Sequence, residues 1–168
     1  MSGSILIAIG SNLADAAGNA PLAVCRQAAA ALGRIAGLRL VAVSRWYRTA
    51  PVPVSDQPDF INGVALLAGE IAPEALLGAL QGLEAAAGRQ RGAVNAARVL
   101  DLDIVAMGDL VRAAPDPILP HPRAHERAFV LAPLADVAPG WRHPVLGTPV
   151  GELLNCLQGQ GLCVLCPA

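Results

Sequence analysis

The segment "AARVLDLDIVAMG", Ala96 to Gly108, alternates along its length. Leu100, Leu102 and Ile104 fall on one side, and Asp101, Asp103 and Val105 on the other. A period of two is the mark of a β-strand with unlike faces. The Leu/Ile side is a core face. The other side sets two carboxylates about 6.6–7 Å apart along the strand, where they repel unless water or a cation intervenes. Taken alone, the pattern fits the wet face of an antiparallel sheet better than a metal site.

Working outward, "PEALLGALQGLEAAA" precedes this strand and reads as a helix. Pro73 lies in its first turn, Leu76, Leu80, Leu83 and Ala87 form its stripe, and Gly88 is its C′ stop. Gly78 and Gly82 each cost that helix about 1 kcal/mol relative to Ala, which points to close packing or an approaching ligand. Before it, "FINGVALLAG" (Phe60–Gly69) is a strand with Phe60 and Asn62 on one face. "LRLVAVSRWYR" (Leu38–Arg48) is β-rich, and "TAPVPVSDQPD" is a Pro-broken loop. "SILIAIG" (Ser4–Gly10) is a buried first strand. "NAPLAVCRQAAAALGRI" is a helix with Leu22, Cys25, Ala29 and Leu32 along one stripe.

Beyond Gly108, the pair Gly108-Asp109 is a two-residue hairpin turn into a short "LVR" strand. "PDPILPHP" is a stiff connection, and "HERAFVLAPLADVAP" opens a helix that Pro133 interrupts. "PVGELLNCL" is a last short helix. The order βαββαβ predicts an α/β (α+β) fold, a ferredoxin-like antiparallel sheet with helices on one face. A C-terminal hairpin and helices would cover more of that sheet. One domain spanning residues 1–168 is expected.

Hydrophobic residues make up 54% of the chain and charged residues 15%, yet no stretch approaches the roughly 18 apolar residues of a membrane span. The amino terminus lacks a signal-peptide pattern, so a cytoplasmic location is expected. A formal net charge of −1 gives no electrostatic footprint for nucleic acid or anionic lipid. All 12 basic residues are arginine. With no lysine, P-loop, protein-kinase and Schiff-base chemistry are excluded, and if the protein handles phosphate, arginine, histidine, backbone N–H groups and metal must hold it. Of the four cysteines, only Cys163 and Cys166 have a metal-like spacing; without further ligands nearby they read as incidental reduced thiols.

The surroundings of Asp101 and Asp103 favour chemistry over decoration. "GRQRG" (Gly88–Gly92) supplies Arg89 and Arg91 between glycines, and Arg98 directly precedes the strand. Arginine forks facing a carboxylate pair suit a meeting of Mg²⁺ and polyphosphate. "LPHPRAHERAF" adds His121 and Arg127, although Pro122 argues against a two-histidine zinc site. Phe60 and Asn62 could be core and cap, or could receive a flat heterocycle with amide edges.

Together these motifs resemble the 6-hydroxymethyl-7,8-dihydropterin pyrophosphokinases of folate biosynthesis. The resemblance rests on "IAIGSNL", "YRTAPV", "DQPDFINGV", "LEAAAGRQR", "RVLDLDI" and "LPHPRAHERAFVLAPLADVAP", in that order, over roughly residues 5 to 140. It implies a ferredoxin-like fold and transfer of pyrophosphate from ATP to the pterin hydroxymethyl group, releasing AMP. It further implies that Asp101 and Asp103 hold two Mg²⁺ ions, and that Arg98, His121 and Arg127 bind phosphate. Gln81 and Glu84 would lie near the nucleotide, and Arg89 and Arg91 would close over the site. Thr49 and Asn62 would read the pterin, and Phe60 and Phe129 would sandwich its ring.

The chain departs from the resemblance at Asn95-Ala96-Ala97, where many members carry Trp-Gly-Pro, and at Gly92. The substrates are small molecules, and no nucleic-acid or membrane partner is expected; the enzyme would act as a monomer. Two rival readings remain: a relative that binds ATP or pterin without transfer, and a ferredoxin-like module for RNA or protein. Five aromatic residues and the near-neutral charge speak against the second.

Overall fold

The computed structural model describes residues 3–89 and 96–166. Its strands are β1 (Ser4–Ser11), β2 (Leu38–Val43), β3 (Trp46–Thr49), β4 (Phe60–Gly69), β5 (Asp101–Met107) and β6 (Cys163–Cys166). The helices are α1 (Pro21–Leu32), α2 (Pro73–Ala86), α3 (Ala128–Val137) and α4 (Val150–Asn155), with a 3₁₀ turn at Ala124–Glu126. The strands form one antiparallel sheet in the order β5-β1-β4-β3-β6, and β2 pairs with the far end of β4. This is the expected ferredoxin-like order with an extra edge strand.

Both sheet faces are covered. Ile5, Ile7, Ile9, Leu102 and Ile104 pack against Val24, Cys25 and Leu32 of α1 and Leu76 and Leu80 of α2. Leu6, Val64, Val105 and Ala106 pack against α3 and α4. The alternation in β5 is therefore realised as read: its leucines and Ile104 face α1 and α2, while the aspartates and Val105 face α3. Helices on one face alone would have left Leu6, Val64 and Val105 in water.

Several local expectations change. The β-rich stretch Leu38–Arg48 divides at Ser44, whose backbone N–H donates to the Val64 carbonyl at 2.9 Å. Its hydroxyl accepts the Val64 N–H, also at 2.9 Å. Gly63 permits the break, since a Cβ there would meet the Trp46 ring at 2.5 Å. The "LVR" strand does not form. After the Gly108-Asp109 turn there is a single bridge, Arg112 to Leu119. Leu110 and Val111 stay exposed, and the prolines that follow lack the N–H donors a ladder needs.

Gly78 and Gly82 are not close-packing sites, because a Cβ on either would meet nothing within 4 Å. Gly88, at φ +94°, does supply the left-handed residue that ends α2. The third helix starts at Ala128, after the 3₁₀ turn, and runs through Pro133 to Val137. Burial of Val130, Leu131, Ala132 and Leu134 around that proline offsets its missing hydrogen bond. No helix among the described residues is long and apolar enough to cross a membrane.

Candidate active site

Strand register builds the site. Gly10 on β1 pairs with Asp101 on one side and with Asn62 on the other. In the next row but one, Ala8 pairs with Asp103 and Val64. Directly opposed residues share a face, so Asp101, Asp103 and Asn62 all rise toward α3. Between them the floor is only glycine and alanine. The result is a cleft of about 330 Å³ lined by both aspartates, Arg98, His121, Arg127, Phe129, Thr49, Asn62 and Phe60.

At the acidic end, Arg98 donates to Asp101 Oδ1 at 2.7 Å and Arg89 reaches the same oxygen at 3.3 Å. Asp103 is raised to about 6, first by burial and then by the charge of Asp101. A pair in which one carboxyl is answered by arginines and the other resists ionisation is short of positive charge. Among the described residues no cluster of three or more His, Cys, Asp or Glu side chains could hold a metal by itself. Two carboxylates nevertheless suit Mg²⁺, which takes its remaining ligands from water and substrate phosphates.

The basic wall comes from the segment after β5. His121 donates its backbone N–H to Val105 at 2.9 Å, which fixes the chain beside the strand. Its Nδ1 accepts the Arg123 N–H at 3.1 Å. Burial and the neighbouring Arg127 hold its pKa below the ordinary histidine value. A neutral ring with Nδ1 occupied carries its proton on Nε2, the nitrogen left to donate. The Arg127 guanidinium lies 5.6 Å from the Phe129 ring centre, and burial lowers its pKa.

At the opposite end, Asn62 Nδ2 donates to Thr49 Oγ1 at 2.7 Å, and both residues are buried. That bond holds the amide plane and leaves its Oδ1 edge beside Gly10, where a Cβ would come within 3.1 Å. Phe60 and Phe129 line the cleft from β4 and α3. Thr49, Phe60 and Asn62 thus gather on the β4 side of Gly10 and Arg98, Asp101 and Asp103 on its β5 side, while His121, Arg127 and Phe129 line the cleft together from the segment that leads into α3.

Two of the expected residues fall elsewhere. Gln81 is exposed on α2 and does not line the cleft. Glu84 is buried beneath β5: its Oε1 accepts the Leu102 N–H at 2.8 Å, and its other oxygen pairs with Arg89. It braces the aspartate strand instead of facing the cleft. Arg91 lies outside the described residues, as does Asn95.

Sequence patterns gave no site role to Asn12, Gly10 or Arg123. Asn12 is 2% exposed; it accepts the Arg98 N–H at 2.8 Å and donates to Pro58 and Gln57 at 3.1 Å. One side chain thereby joins the segment leading into β5 to the loop beside the ring-lined end. In sequence it is indistinguishable from a turn residue after Gly10 and Ser11.

Residues 6–139 match the model of the 7,8-dihydro-6-hydroxymethylpterin-pyrophosphokinase (HPPK) family. A Pseudomonas aeruginosa 2-amino-4-hydroxy-6-hydroxymethyldihydropteridine pyrophosphokinase is 42% identical over 158 residues, covering 94% of each chain. The Schizosaccharomyces pombe folic acid synthesis protein fol1 is 35% identical over 93% of this chain, which spans only 21% of that protein. The fold also matches the solved Plasmodium falciparum HPPK-DHPS, with a TM-score of 0.70 at 12% identity. That match covers 93% of this chain and 43% of the solved one. The chain belongs to the HPPK family.

Proposed function

We propose that this protein transfers pyrophosphate from ATP to the hydroxymethyl group of 6-hydroxymethyl-7,8-dihydropterin, giving AMP and the pterin diphosphate, a step of folate biosynthesis. Family membership establishes the class of enzyme. The observation that carries the assignment to this cleft is its polarity: a carboxylate pair with arginines on the β5 side of Gly10, and an anchored amide on the β4 side, with Phe60 and Phe129 in the same lining.

In this reading Phe60 and Phe129 stack on the pterin ring, while Asn62, oriented by Thr49, reads its amide edge. The hydroxymethyl oxygen then points along the sheet toward Asp101 and Asp103. It attacks the β-phosphorus as the bond to the α-phosphate oxygen breaks, so no protein nucleophile is needed. Arg98, Arg127 and the Nε2–H of His121 hold phosphate oxygens in line for this displacement. Asp101 and Asp103 would hold the two Mg²⁺ ions, which when bound neutralise charge on the phosphate chain. Arg89 and Arg91 close over the phosphates, while Glu84 acts from beneath by holding Arg89 and the Leu102 N–H. The 168 residues act as one domain, monomeric and cytoplasmic.

Mixing protein, MgATP and the pterin and following AMP tests the assignment. Pterin-dependent AMP release supports it. Its absence from folded protein, with both ligands bound, would favour the rival in which the cleft binds without transfer.

A further inference from the structure

We propose that Arg123 is a specificity residue at the cleft mouth, one that binds polyphosphate and favours the triphosphate substrate over the monophosphate product. This rests on the pyrophosphokinase reading above.

Arg123 lines the cleft two residues after His121 and four before Arg127. Its backbone is fixed, because its N–H is the donor that occupies His121 Nδ1. Its side chain is not engaged in the same way. The guanidinium reaches Glu126 only at 3.9 Å, and both side chains are largely exposed, at 66% and 60%. Such a long, wet pair holds an arginine weakly. The other described arginines of the cleft are more committed: Arg98 to Asp101 at 2.7 Å, and Arg127 stacked beside Phe129.

The charge of Arg123 also lowers the proton affinity of both His121 and Arg127. Arg123 and Arg127 therefore crowd positive charge beside a neutral histidine, which an anion relieves. A rigid backbone carrying a loosely held fork suits a phosphate oxygen arriving from solvent. The longer and more highly charged the phosphate chain, the more such a residue at the mouth contributes.

Calorimetric titration of the full chain with inorganic tripolyphosphate and with AMP, both with Mg²⁺, tests this. The proteins compared are the wild type, Arg123→Ala, Arg123→Lys and, as a surface control, Arg34→Ala. Arg123→Ala should bind tripolyphosphate about tenfold more weakly, with AMP and pterin binding nearly unchanged. Arg123→Lys should recover part of the loss, and Arg34→Ala should match the wild type. Unchanged tripolyphosphate affinity in Arg123→Ala, or an equal loss for AMP, overturns the proposal while leaving the enzyme assignment intact. A wild-type protein that binds no tripolyphosphate also overturns it, whereas the enzyme assignment stands or falls with pterin-dependent AMP release.

Discussion

Asp101 and Asn62 are register partners of the same residue, Gly10, one on each side of β1. Two strand spacings, about 9.6 Å, separate them, and no side chain stands between. The carboxylate end and the amide end of the cleft are thus set at a distance fixed by the sheet itself. A chemistry that joins a phosphate chain to a flat ring can be held on such a ruler without any loop defining its length.

Gly10→Ala should therefore damage the ring-binding end specifically. The added methyl would sit 3.1 Å from Asn62 Oδ1, tighter than ordinary contact, and the amide is already tied to Thr49. The expected result is about tenfold weaker pterin binding, equivalent to about 1.4 kcal/mol, with nucleotide affinity little changed. Fluorescence titration with each ligand checks it.

Asp103 links metal, pH and stability. Its carboxyl is raised to about 6, above the unfolded value of 3.8, so between those values the folded state holds the extra proton. Without metal, stability should fall as pH rises through this window, by up to about 3 kcal/mol. Asp103→Asn should remove that loss and melt higher than the wild type at pH 8 in chelator. Magnesium should then stabilise the wild type and not the variant. Melting curves with chelator and with Mg²⁺ at pH 4, 6 and 8 decide the point.

Glu84 separates bracing from nucleotide contact. Removing it leaves the Leu102 N–H without a partner beneath β5 and takes from Arg89 its buried carboxylate. Glu84→Ala should cost about 3 kcal/mol of stability, and Glu84→Gln, which keeps the backbone bond, distinctly less. Urea unfolding measures both. A stability near wild type for Glu84→Ala would show that the carboxylate does not brace the strand.

Asn12 offers a test of how Arg98 is held. Asn12→Ala removes the acceptor for the Arg98 N–H and the ties to Pro58 and Gln57. A loss of about 2 kcal/mol is expected. Nucleotide and pterin affinity should fall together, because both cleft ends rest on this side chain. Calorimetry with each ligand separates that outcome from a loss at one end.

The sheet was legible because its determinants are local. Alternation at Asp101–Val105, the apolar run Ser4–Gly10 and the helix between Pro73 and Gly88 each report their own surroundings. Edge strand β6 was not, since Cys163–Cys166 has no pattern of its own and exists by pairing with Trp46–Arg48. The "LVR" strand failed for the converse reason: a local turn was read correctly, but the His121 segment, not Leu110–Arg112, bonds to β5 at Val105.

In the site, the residue types that carry charge stood out, whereas their supports did not. Gly10 matters through its register partners, and Asn12 through bonds to residues 86 and 46 positions away. Glu84 shares the acidic character of a nucleotide contact, yet its burial against Leu102 is set by the packing of α2 on β5. Such roles are fixed by tertiary distance, which a single sequence does not display.

The most direct test is the carboxylate pair. Asp101→Ala and Asp103→Ala should each abolish pterin-dependent release of AMP from MgATP while melting cooperatively, as folded proteins do. Folded variants that both retain wild-type turnover would contradict the assignment of this cleft as the place where pyrophosphate is transferred.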